Sequence, residues 1–588
     1  MRPLLWIFVG ILLYTTVAMA LNARGVLPSS FRVAGPILTI HTKRGRAFLD
    51  WLASPKRAWR AWGNFGVGIA IVIMVGSFFG VLFSAVSALS DPGAVGGITR
   101  PQDALVIPGV NQFLPLAAAV DILVGLLVGL VVHEGGHGLL CRVEDIEIDS
   151  MGVALLAFIP LGAFVQPDEE SQEGADRGGK TRMFAAGVIN NFLVTALSFG
   201  LLFLVVASLV TVVPGVAVGG ALPGSPAEDA GIERGDVITS VDGQAVANEE
   251  EFEAALATAD REVTVGRQDG EPVTVERSLI ATRAVVDAPV GTGTEITAVD
   301  GEPVYTRSGF EAATEGEEVV ELETADRTVE FPVGTFVSSV PQDGPLGQEA
   351  PDTPMLVTSI DGEPTPTPEA LAAVLAERSP GDTIEVVAYH GSGNDPWSGE
   401  RHVYEVTLEE NPRTDGGFVG VAGLQEGTSG IVVDDFGIDP YPAEQYLAFL
   451  GDGGWDDPVS TFISRVFALL VLPFASVVQP SIGYNFAGFN GAVANFYAVS
   501  GPLGAGVVFG LANVLFWTGW VNVNLGLFNC IPSYPLDGGH ILRSCVEATL
   551  SRLPVDTSPV VATAVTTVIS ATMILSLLGL LFLPQLLA

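Results

Sequence analysis

The stretch LAAAVDILVGLLVGLVVHEGGHGLL, residues 116–140, places two histidines and a glutamate at the end of an apolar run. In a helix, His133 and His137 project from one face, so both imidazoles can reach a single ion. HExxH on a helix is typical of zinc hydrolases, in which the glutamate, here Glu134, is the general base. The alternative is a histidine pair that caps the carbonyls of a helix end at the lipid headgroups.

Charge divides the 588-residue chain into a neutral part and a strongly acidic part. The mean hydropathy is +0.46, well above that of a soluble protein, yet the formal net charge is −39. Residues 214–457 hold 49 Asp and Glu against 10 Arg, which accounts for the whole net charge. We therefore expect a lipid-embedded part and one acidic, water-facing part, and this surface argues against nucleic acid as a partner.

Lysine is nearly absent, with three in the whole chain and none in the acidic part. Acid-rich, lysine-poor surfaces resemble those of proteins from halophiles, because high salt screens the repulsion between carboxylates. This favours a halophilic archaeon as the source, with an ordinary acidic domain as the alternative. The three cysteines form no CxxC pair, so we infer neither a disulfide framework nor a cysteine zinc site.

Hydropathy predicts a polytopic α-helical membrane protein with about six spans, each near the ~20 apolar residues that a crossing helix needs. Residues 22–64 carry eight basic residues and one acidic residue, so we place this loop in the cytoplasm and keep the first span as an anchor rather than a cleaved signal peptide. Alternation then makes a multi-pass protein of the cell membrane, with the acidic region extracytoplasmic and HEGGH near the cytoplasmic side. The predicted spans are 3–21, 65–90, 116–140, 184–210, 506–530 and 560–586.

Two further apolar segments do not fit this scheme of spans. Residues 151–166 are too few to cross and contain Pro160, which predicts a re-entrant or edge-strand hairpin. Residues 459–480 are long enough to cross, but one more span would invert the rest of the chain. For that segment we expect a helix lying at the membrane interface.

The acidic region contains a repeat: ITSVDG at 238–243, ITAVDG at 296–301 and VTSIDG at 357–362. Each copy is an apolar strand closed by an Asp-Gly turn, and the second is degenerate because it lacks the SPAEDAG helix. The pattern resembles PDZ domains attached to bacterial-type proteases, best over residues 215–282. PDZ domains bind extended peptide ends by adding a strand to a sheet edge. Peptide ends are therefore expected partners, and ligand-free β domains are the alternative.

A third ligand for the histidines is found in VNVNLGLFNCIPSYPLDGGHIL, residues 521–542. Asp537 is a carboxylate in an apolar segment behind two prolines, and such a group at membrane depth is expensive unless it has a function. Two histidines, one aspartate and an open position make a catalytic zinc site. For His540 a ligand or supporting role and a plain interfacial role remain equally open.

HExxH in one membrane helix and N-x-x-P-x-x-P-L-D-G-G in a later one resemble the site-2 protease family of intramembrane zinc peptidases. AAGVINNF (185–192), SGPLGAG (500–506) and the PDZ-like insertion extend the match to roughly residues 116–542. The resemblance implies that His133, His137 and Asp537 bind Zn²⁺ and that Glu134 activates water. It also implies that Asn529 contacts the substrate, either holding its backbone or polarising the scissile carbonyl.

The resulting expectation is an intramembrane zinc endopeptidase that cleaves membrane proteins within a transmembrane helix, as in regulated intramembrane proteolysis. The alternatives are a non-catalytic PDZ-bearing membrane scaffold and a membrane metal transporter. The intact glutamate argues against the scaffold, because a structural metal site needs no base.

The expected domain order follows from these segments. It comprises two N-terminal spans with the basic loop (1–115), a catalytic membrane half with HExxH (116–213), a first PDZ-like domain (214–282), a degenerate PDZ-like repeat (283–336), a third PDZ-like domain (337–425), a linker with the interfacial segment (426–505), and a catalytic membrane half with LDGG and the last span (506–588).

Overall fold

A computed structural model describes residues 2–28, 30–90, 108, 114–156, 159–391, 395–411, 416–452, 458–478, 483–552 and 559–587. In chain order, its α-helices are α1 (Arg2–Ala23), α2 (Lys43–Leu52), α3 (Lys56–Ser90), α4 (Ala119–Val143), α5 (Glu169–Gly174), α6 (Arg177–Leu209), α7 (Pro226–Asp229), α8 (Glu249–Thr258), α9 (Arg307–Thr314), α10 (Pro368–Ala376), α11 (Ala443–Leu447), α12 (Pro458–Val471), α13 (Ala475–Val478), α14 (Ala505–Asn529), α15 (Asp537–Leu550) and α16 (Pro559–Leu587).

The strands are numbered in the same way. They are β1 (Phe31–Ala34), β2 (Ile37–His41), β3 (Ile148–Leu156), β4 (Ile159–Pro167), β5 (Val210–Val212), β6 (Val216–Ala221), β7 (Val237–Val241), β8 (Gln244–Ala245), β9 (Glu262–Arg267), β10 (Val273–Glu276), β11 (Ile280–Ala284), β12 (Ile296–Val299), β13 (Glu302–Pro303), β14 (Val319–Thr324), β15 (Thr328–Pro332), β16 (Thr335–Ser339), β17 (Met355–Ile360), β18 (Glu363–Pro364), β19 (Thr383–His390), β20 (Glu400–Thr407), β21 (Glu409–Glu410), β22 (Gly417–Phe418), β23 (Ala422–Leu424), β24 (Ile431–Asp434), β25 (Ile438–Pro440) and β26 (Tyr497–Val499).

The chain forms two compact units, a membrane unit of residues 1–212 and 444–588 and an acidic unit of residues 213–443. Six helices of the described part are long and apolar enough to cross a membrane, and five of them coincide with predicted spans. The sixth, Ser460–Val478, is the segment for which we expected an interfacial helix. The predicted class, a polytopic α-helical membrane protein with an inserted PDZ-like α/β region, is confirmed.

Helices α4, α6 and α14 pack against one another at the centre of the membrane unit. Thr195 on α6 is buried and donates a hydrogen bond across to the Gly519 carbonyl on α14 (3.3 Å). Beyond α6, α3 forms an outer layer, and α16 packs against α3. Burying α14 among other helices allows it to carry asparagines, because a polar side chain facing protein avoids contact with lipid.

Charged residues gather where α3 begins, α4 ends and α6 begins. Lys56 pairs with Asp145 (2.5 Å), and Glu144 pairs with both Arg60 (3.2 Å) and Arg182 (2.8 Å). These three helix ends therefore lie on one side of the membrane unit, as the predicted alternation of spans requires. Which side of the membrane this is remains a prediction from the excess of basic residues.

The basic N-terminal loop, which had no predicted role, is folded and belongs to the structure around HEGGH. Its hairpin β1–β2 extends the hairpin β3–β4 into a four-stranded antiparallel sheet, with β2 on β3. The hairpin β3–β4 itself matches the one predicted for residues 151–166. Helix α2 then packs Leu49 against Leu139 and Leu140 at the end of α4. The sequence pattern missed this pairing because it joins strands more than a hundred residues apart.

The three Asp-Gly repeats form equivalent turns in the acidic unit. Each follows a central strand, and every Asp and Gly has φ between 48° and 80°, as a type I′ turn requires: Asp242, Gly243, Asp300, Gly301, Asp361 and Gly362. The Asp carboxylate of each turn accepts an N–H from the adjacent strand, at Thr264 (2.8 Å), Glu321 (2.7 Å) and Glu385 (2.8 Å). The repeat seen in the sequence is therefore a repeat of structure.

The first and third repeats share one sheet plan, and the second has a smaller sheet. The main strand orders are β10-β9-β7-β6-β25 and β20-β19-β17-β16-β23, while the second repeat has β13-β12-β14-β15. In both larger sheets a strand from further along the chain forms one edge. Strand β25 lies at residues 438–440, so the sheet of the first repeat is completed from within the predicted linker 426–505.

Arg277 connects these distant parts of the first repeat. It is 2 % exposed and binds Asp435 with two hydrogen bonds (2.7 and 3.2 Å). It also donates to the carbonyls of Leu256 (2.8 Å) and Ala259 (3.0 Å) near the end of α8. The Arg277 guanidinium thus donates hydrogen bonds both to carbonyls near the end of α8 and to the Asp435 carboxylate before β25.

Substitution of Arg277 by alanine leaves Asp435 buried without its partner charge. We expect Arg277→Ala to lower the opening free energy of strand β25 by about 3–5 kcal/mol. Arg261→Ala is the matched control, because Arg261 and Glu276 form an exposed pair (3.1 Å), and we expect a change below about 1 kcal/mol. Hydrogen exchange of residues 431–441 in the full-length protein measures both, and equal protection in the two variants contradicts the assignment.

Candidate metal centre

Helix α4 brings the two histidines of HEGGH together, as the spacing predicts. Their Nε2 atoms are 3.2 Å apart, and the rings meet edge to face. His133 is 6 % exposed, so the pair lies inside the helix packing rather than at a lipid-facing surface. A headgroup-facing pair that caps carbonyls does not fit this burial.

Asp537 meets the histidines from the other end of the chain. It is the first residue of α15, and its Oδ2 lies 3.1 Å from His133 Nε2 and 3.3 Å from His137 Nε2. The three atoms form a nearly equilateral triangle. Tetrahedral ligands bound at ~2.0–2.1 Å are separated by about 3.3–3.4 Å, so the triangle fits one zinc ion with a fourth position open.

The hydrogen-bond partners of these side chains favour a cation in the triangle. His137 Nδ1 donates to the Met183 carbonyl (2.8 Å), which leaves the Nε2 lone pair directed to the centre. His133 Nδ1 and Asp537 Oδ2 are buried and have no hydrogen-bond partner among the described residues. Because a buried polar atom without a partner costs free energy, a metal ligated by Oδ2 would remove a penalty.

The turn before α15 decides where Asp537 points. After α14 ends at Asn529, the chain folds back through residues 530–536, and α15 starts immediately. A Cβ on Gly538 would collide with the carbonyl oxygen of Ile531, so only glycine allows this close approach. The LDGG motif thus supplies both a ligand, Asp537, and the glycine that this close packing requires, Gly538.

Gly187 on α6 is a further residue of the site, for which the sequence pattern predicts no role. A Cβ there would lie 2.7 Å from both His133 Cε1 and His137 Nε2. The absence of a side chain at this position leaves the space that the two imidazoles occupy. Its signal in the sequence was the small-residue run AAG within AAGVINNF, which does not by itself reveal the crossing point.

Glu134 lies beside the triangle on another face of α4. Its Oε2 accepts the Val165 N–H of β4 at 2.9 Å. The carboxylate lines a largely apolar cavity of about 600 Å³, together with residues of α2, α4, α6, β3 and β4 such as Leu49, Met151 and Phe164. The N-terminal segment therefore helps to enclose the space next to the predicted base.

The remaining two predicted residues do not join the triangle. Asn529 is half-buried, and its amide donates to the Leu525 carbonyl of its own helix (2.9 Å). The His540 ring stacks on Phe184, with centroids 4.3 Å apart, and Tyr534 contacts it edge-on. His540 is thus held by aromatic packing, and the substrate-binding role of Asn529 stays a prediction.

Comparison with known proteins assigns the chain to a family. The family model of peptidase family M50 matches residues 121–575, more than three quarters of the chain. The chain belongs to peptidase family M50, the site-2 protease family. The resemblance to the site-2 protease family that its motifs carry is therefore confirmed.

Two relatives match the chain over shorter stretches. An uncharacterized protein of Methanocaldococcus jannaschii is 26% identical over 163 residues, which are 28% of this chain and 42% of that protein. A Thermotoga maritima protein whose name describes a zinc metalloprotease is 32% identical over 142 residues, 20% of this chain and 28% of its own. The chain thus spans less than half the length of either relative.

Solved structures similar to part of the chain are PDZ domains of SdrC-like proteins. The domain from Listeria monocytogenes is 20% identical with a TM-score of 0.14, covering 16% of this chain and 87% of that one. The domain from Listeria innocua is 20% identical with a TM-score of 0.13, covering 15% and 91%. The PDZ-like character of the acidic unit rests on its own strand order and Asp-Gly turns.

A methyl group at Gly187 tests the packing around the triangle. We expect Gly187→Ala to displace the imidazoles and to weaken zinc binding about 10–100-fold, as the loss of a supporting contact does. Gly200→Ala on the same helix is the control, because a Cβ at Gly200 meets nothing within 4 Å. Zinc affinity measured by chelator competition distinguishes them, and equal affinities contradict the predicted crossing.

Proposed function

We propose that this protein is an intramembrane zinc endopeptidase that hydrolyses peptide bonds within transmembrane segments of membrane proteins. The observation that carries the proposal is the triangle of His133, His137 and Asp537, buried where helices α4, α6 and the start of α15 meet. A carboxylate with the spacing of a general base, Glu134, lines an apolar cavity. This combination supports hydrolysis at membrane depth.

The three residues of the triangle would hold zinc, which supplies a Lewis acid for the scissile carbonyl and for the attacking water. Glu134 takes the proton from that water and passes it to the leaving nitrogen. The Val165 N–H holds Oε2 of Glu134, which leaves Oε1 to receive the proton. Asn529, at the end of α14, binds the backbone of the substrate in this proposal.

The cavity supports an apolar substrate. Its walls are mostly aliphatic and aromatic side chains, which favour the side chains of a membrane segment over charged ones. A peptide bond within a helix is shielded by its own hydrogen bonds, so the substrate has to unwind before Glu134 can act. Segments weakened by glycine or proline are therefore the preferred substrates.

The setting of the protein is proposed on the same grounds. It lies in the lipid bilayer of the cell membrane, with the metal centre near the cytoplasmic side and the PDZ-like units outside, where they bind peptide segments. The division of the acidic region at 214–282, 283–336 and 337–425 remains part of this proposal. A metal transporter would need further ligand sets along a path, whereas the described residues bring together a single cluster.

Removal of the base without loss of the metal tests the mechanism. We expect Glu134→Gln to lower turnover of a membrane-helix substrate by ~10²–10⁴-fold, because the amide cannot accept the proton. Zinc content stays at the wild-type level, since Glu134 is not one of the three ligands. His137→Ala is the comparison, in which both zinc and turnover are lost. Unchanged cleavage by Glu134→Gln eliminates the proposed base, whereas no cleavage by the wild-type protein would favour the non-catalytic scaffold.

Unwinding can be tested on the substrate. Replacing a Leu-Leu pair near the cleavage site by Gly-Gly lowers helix stability by about 2 kcal/mol, which corresponds to roughly 30-fold. We expect kcat/KM to rise by up to that factor when the two substrates are compared in one membrane preparation. A Leu-Leu to Ala-Ala substrate is the control, because alanine keeps the helix. Equal rates for all three substrates would mean that cleavage needs no unwinding.

A further inference from the structure

The first repeat of the acidic unit contains a groove that the proteolytic function does not use. Its sheet ends at β25, and no strand of the described chain pairs with the outer side of β25. Helix α8 lies across from this edge, and these two elements line a cavity of about 280 Å³ together with the start of α9 from the second repeat. Its volume is near the lower end of ligand pockets. The rings of Phe252 on α8 and Phe436 before β25 meet edge to face beneath it.

A sheet edge facing a helix is the arrangement into which an extended peptide adds as a further strand. The backbone of β25 provides the hydrogen-bonding partners, and Pro440 at its end contributes a carbonyl but no N–H. Groups that donate hydrogen bonds are therefore favoured in the ligand near that end. The cavity next to the edge takes one of its side chains.

The loop before β25 is already capped by the chain's own carboxylate. Asp434 Oδ1 accepts the successive N–H groups of Phe436 (2.7 Å) and Gly437 (2.5 Å). Successive backbone N–H groups form a concavity that binds anions, including the carboxylate at the end of a peptide. With Asp434 in that position, a free carboxyl end finds these donors occupied and meets a like charge.

Acidic residues predominate around the groove. Five carboxylates and two guanidiniums line it: Glu249, Glu253, Glu311, Asp434, Asp435, Arg277 and Arg307. Arg277 is committed to Asp435, and Arg307 pairs with Glu253 and with Glu311 (3.7 Å). After these pairings the groove keeps an excess of negative charge, centred on Glu249 and Asp434.

The raised pKa values of the Glu249 and Asp434 carboxyls agree with this excess of negative charge. Burial raises the pKa of the Glu249 carboxyl, and the neighbouring Glu253 and Asp439 raise it further. Burial also raises the pKa of the Asp434 carboxyl against the lowering by its two backbone N–H partners. A cationic group in the groove would relieve the repulsion that both carboxylates experience.

We propose that this groove binds an extended internal peptide segment carrying a basic side chain, and that it excludes peptides ending in a free carboxylate at this position. The ligand adds to the edge of β25 and directs an Arg or Lys between Glu249 and Asp434. This refines the expected binding of peptide ends at the first PDZ-like repeat. The binding is independent of the proteolytic mechanism, so either can fail without the other.

Three fluorescent peptides of one length test the proposal on full-length Glu134→Gln protein, which binds without cleaving. The first has two arginines in an alternating valine background and blocked ends, the second has glutamates in their place, and the third has the arginines and a free carboxyl end. We expect the blocked arginine peptide to bind at least about tenfold more tightly than either of the others. Fluorescence anisotropy at one fixed salt concentration measures the three affinities, since salt screens these charges.

Two substitutions at Asp434 separate the effect of its hydrogen bonds to the Phe436 and Gly437 N–H groups from the effect of its negative charge. Asp434→Asn keeps an oxygen that accepts the two N–H groups, so the free-carboxyl peptide stays weak while the blocked arginine peptide loses affinity several-fold. Asp434→Ala exposes the N–H groups, so the free-carboxyl peptide gains at least about tenfold. The proposal is overturned if the protein with Asp434 binds the free-carboxyl and the blocked arginine peptides equally, or binds neither. It is also overturned if Asp434→Asn and Asp434→Ala have the same affinity for the free-carboxyl peptide.

Glu249→Gln provides an independent check on the charge. Glu249 is in the first turn of α8, where Asn248 caps the helix through the Glu251 N–H, so the fold does not depend on the carboxylate. We expect a several-fold loss of affinity for the blocked arginine peptide and none for the glutamate peptide. An arginine peptide that binds this variant as tightly as wild type would contradict the role of the acidic groove.

Discussion

Two imidazoles and a carboxylate that meet largely shielded from water form a site for a cation. The Oδ2 of Asp537 lies within 3.3 Å of both histidine Nε2 atoms, and no described donor forms a hydrogen bond with it. Desolvation of a carboxylate is expensive, and a divalent ion reverses that cost. Helix α4 and the start of α15 have to meet for these three atoms to come together.

That convergence depends on residues with little or no side chain. Gly187 lets α6 pass the two imidazoles, and Gly538 lets the start of α15 fold back on the preceding turn. The Met183 carbonyl fixes the His137 tautomer from the same helix that carries Gly187. The absence of a side chain at these two crossing points therefore matters to the helix packing as much as the apolar surfaces of the helices.

Sequence patterns predicted those features whose signal is local. The HExxH spacing, the intramembrane Asp537 and the Asp-Gly turns all depend on a few neighbouring residues. The pairing of β2 with β3 and the completion of the first sheet by β25 join segments that are far apart in the chain, and no local pattern records such a partner. Gly187 was missed for a related reason, because its importance depends on which side chains another helix presents to it.

The central claim is that His133, His137 and Asp537 together bind one zinc ion in the intact protein. Zinc K-edge X-ray absorption on the purified full-length protein, with metal content measured in parallel, tests it most directly. We expect one zinc per chain, with two imidazole nitrogens and protein oxygen at ~2.0–2.2 Å, and loss of this signal in Asp537→Ala. Zinc that stays bound in Asp537→Ala with unchanged coordination, or a wild-type protein that binds no zinc, would contradict it.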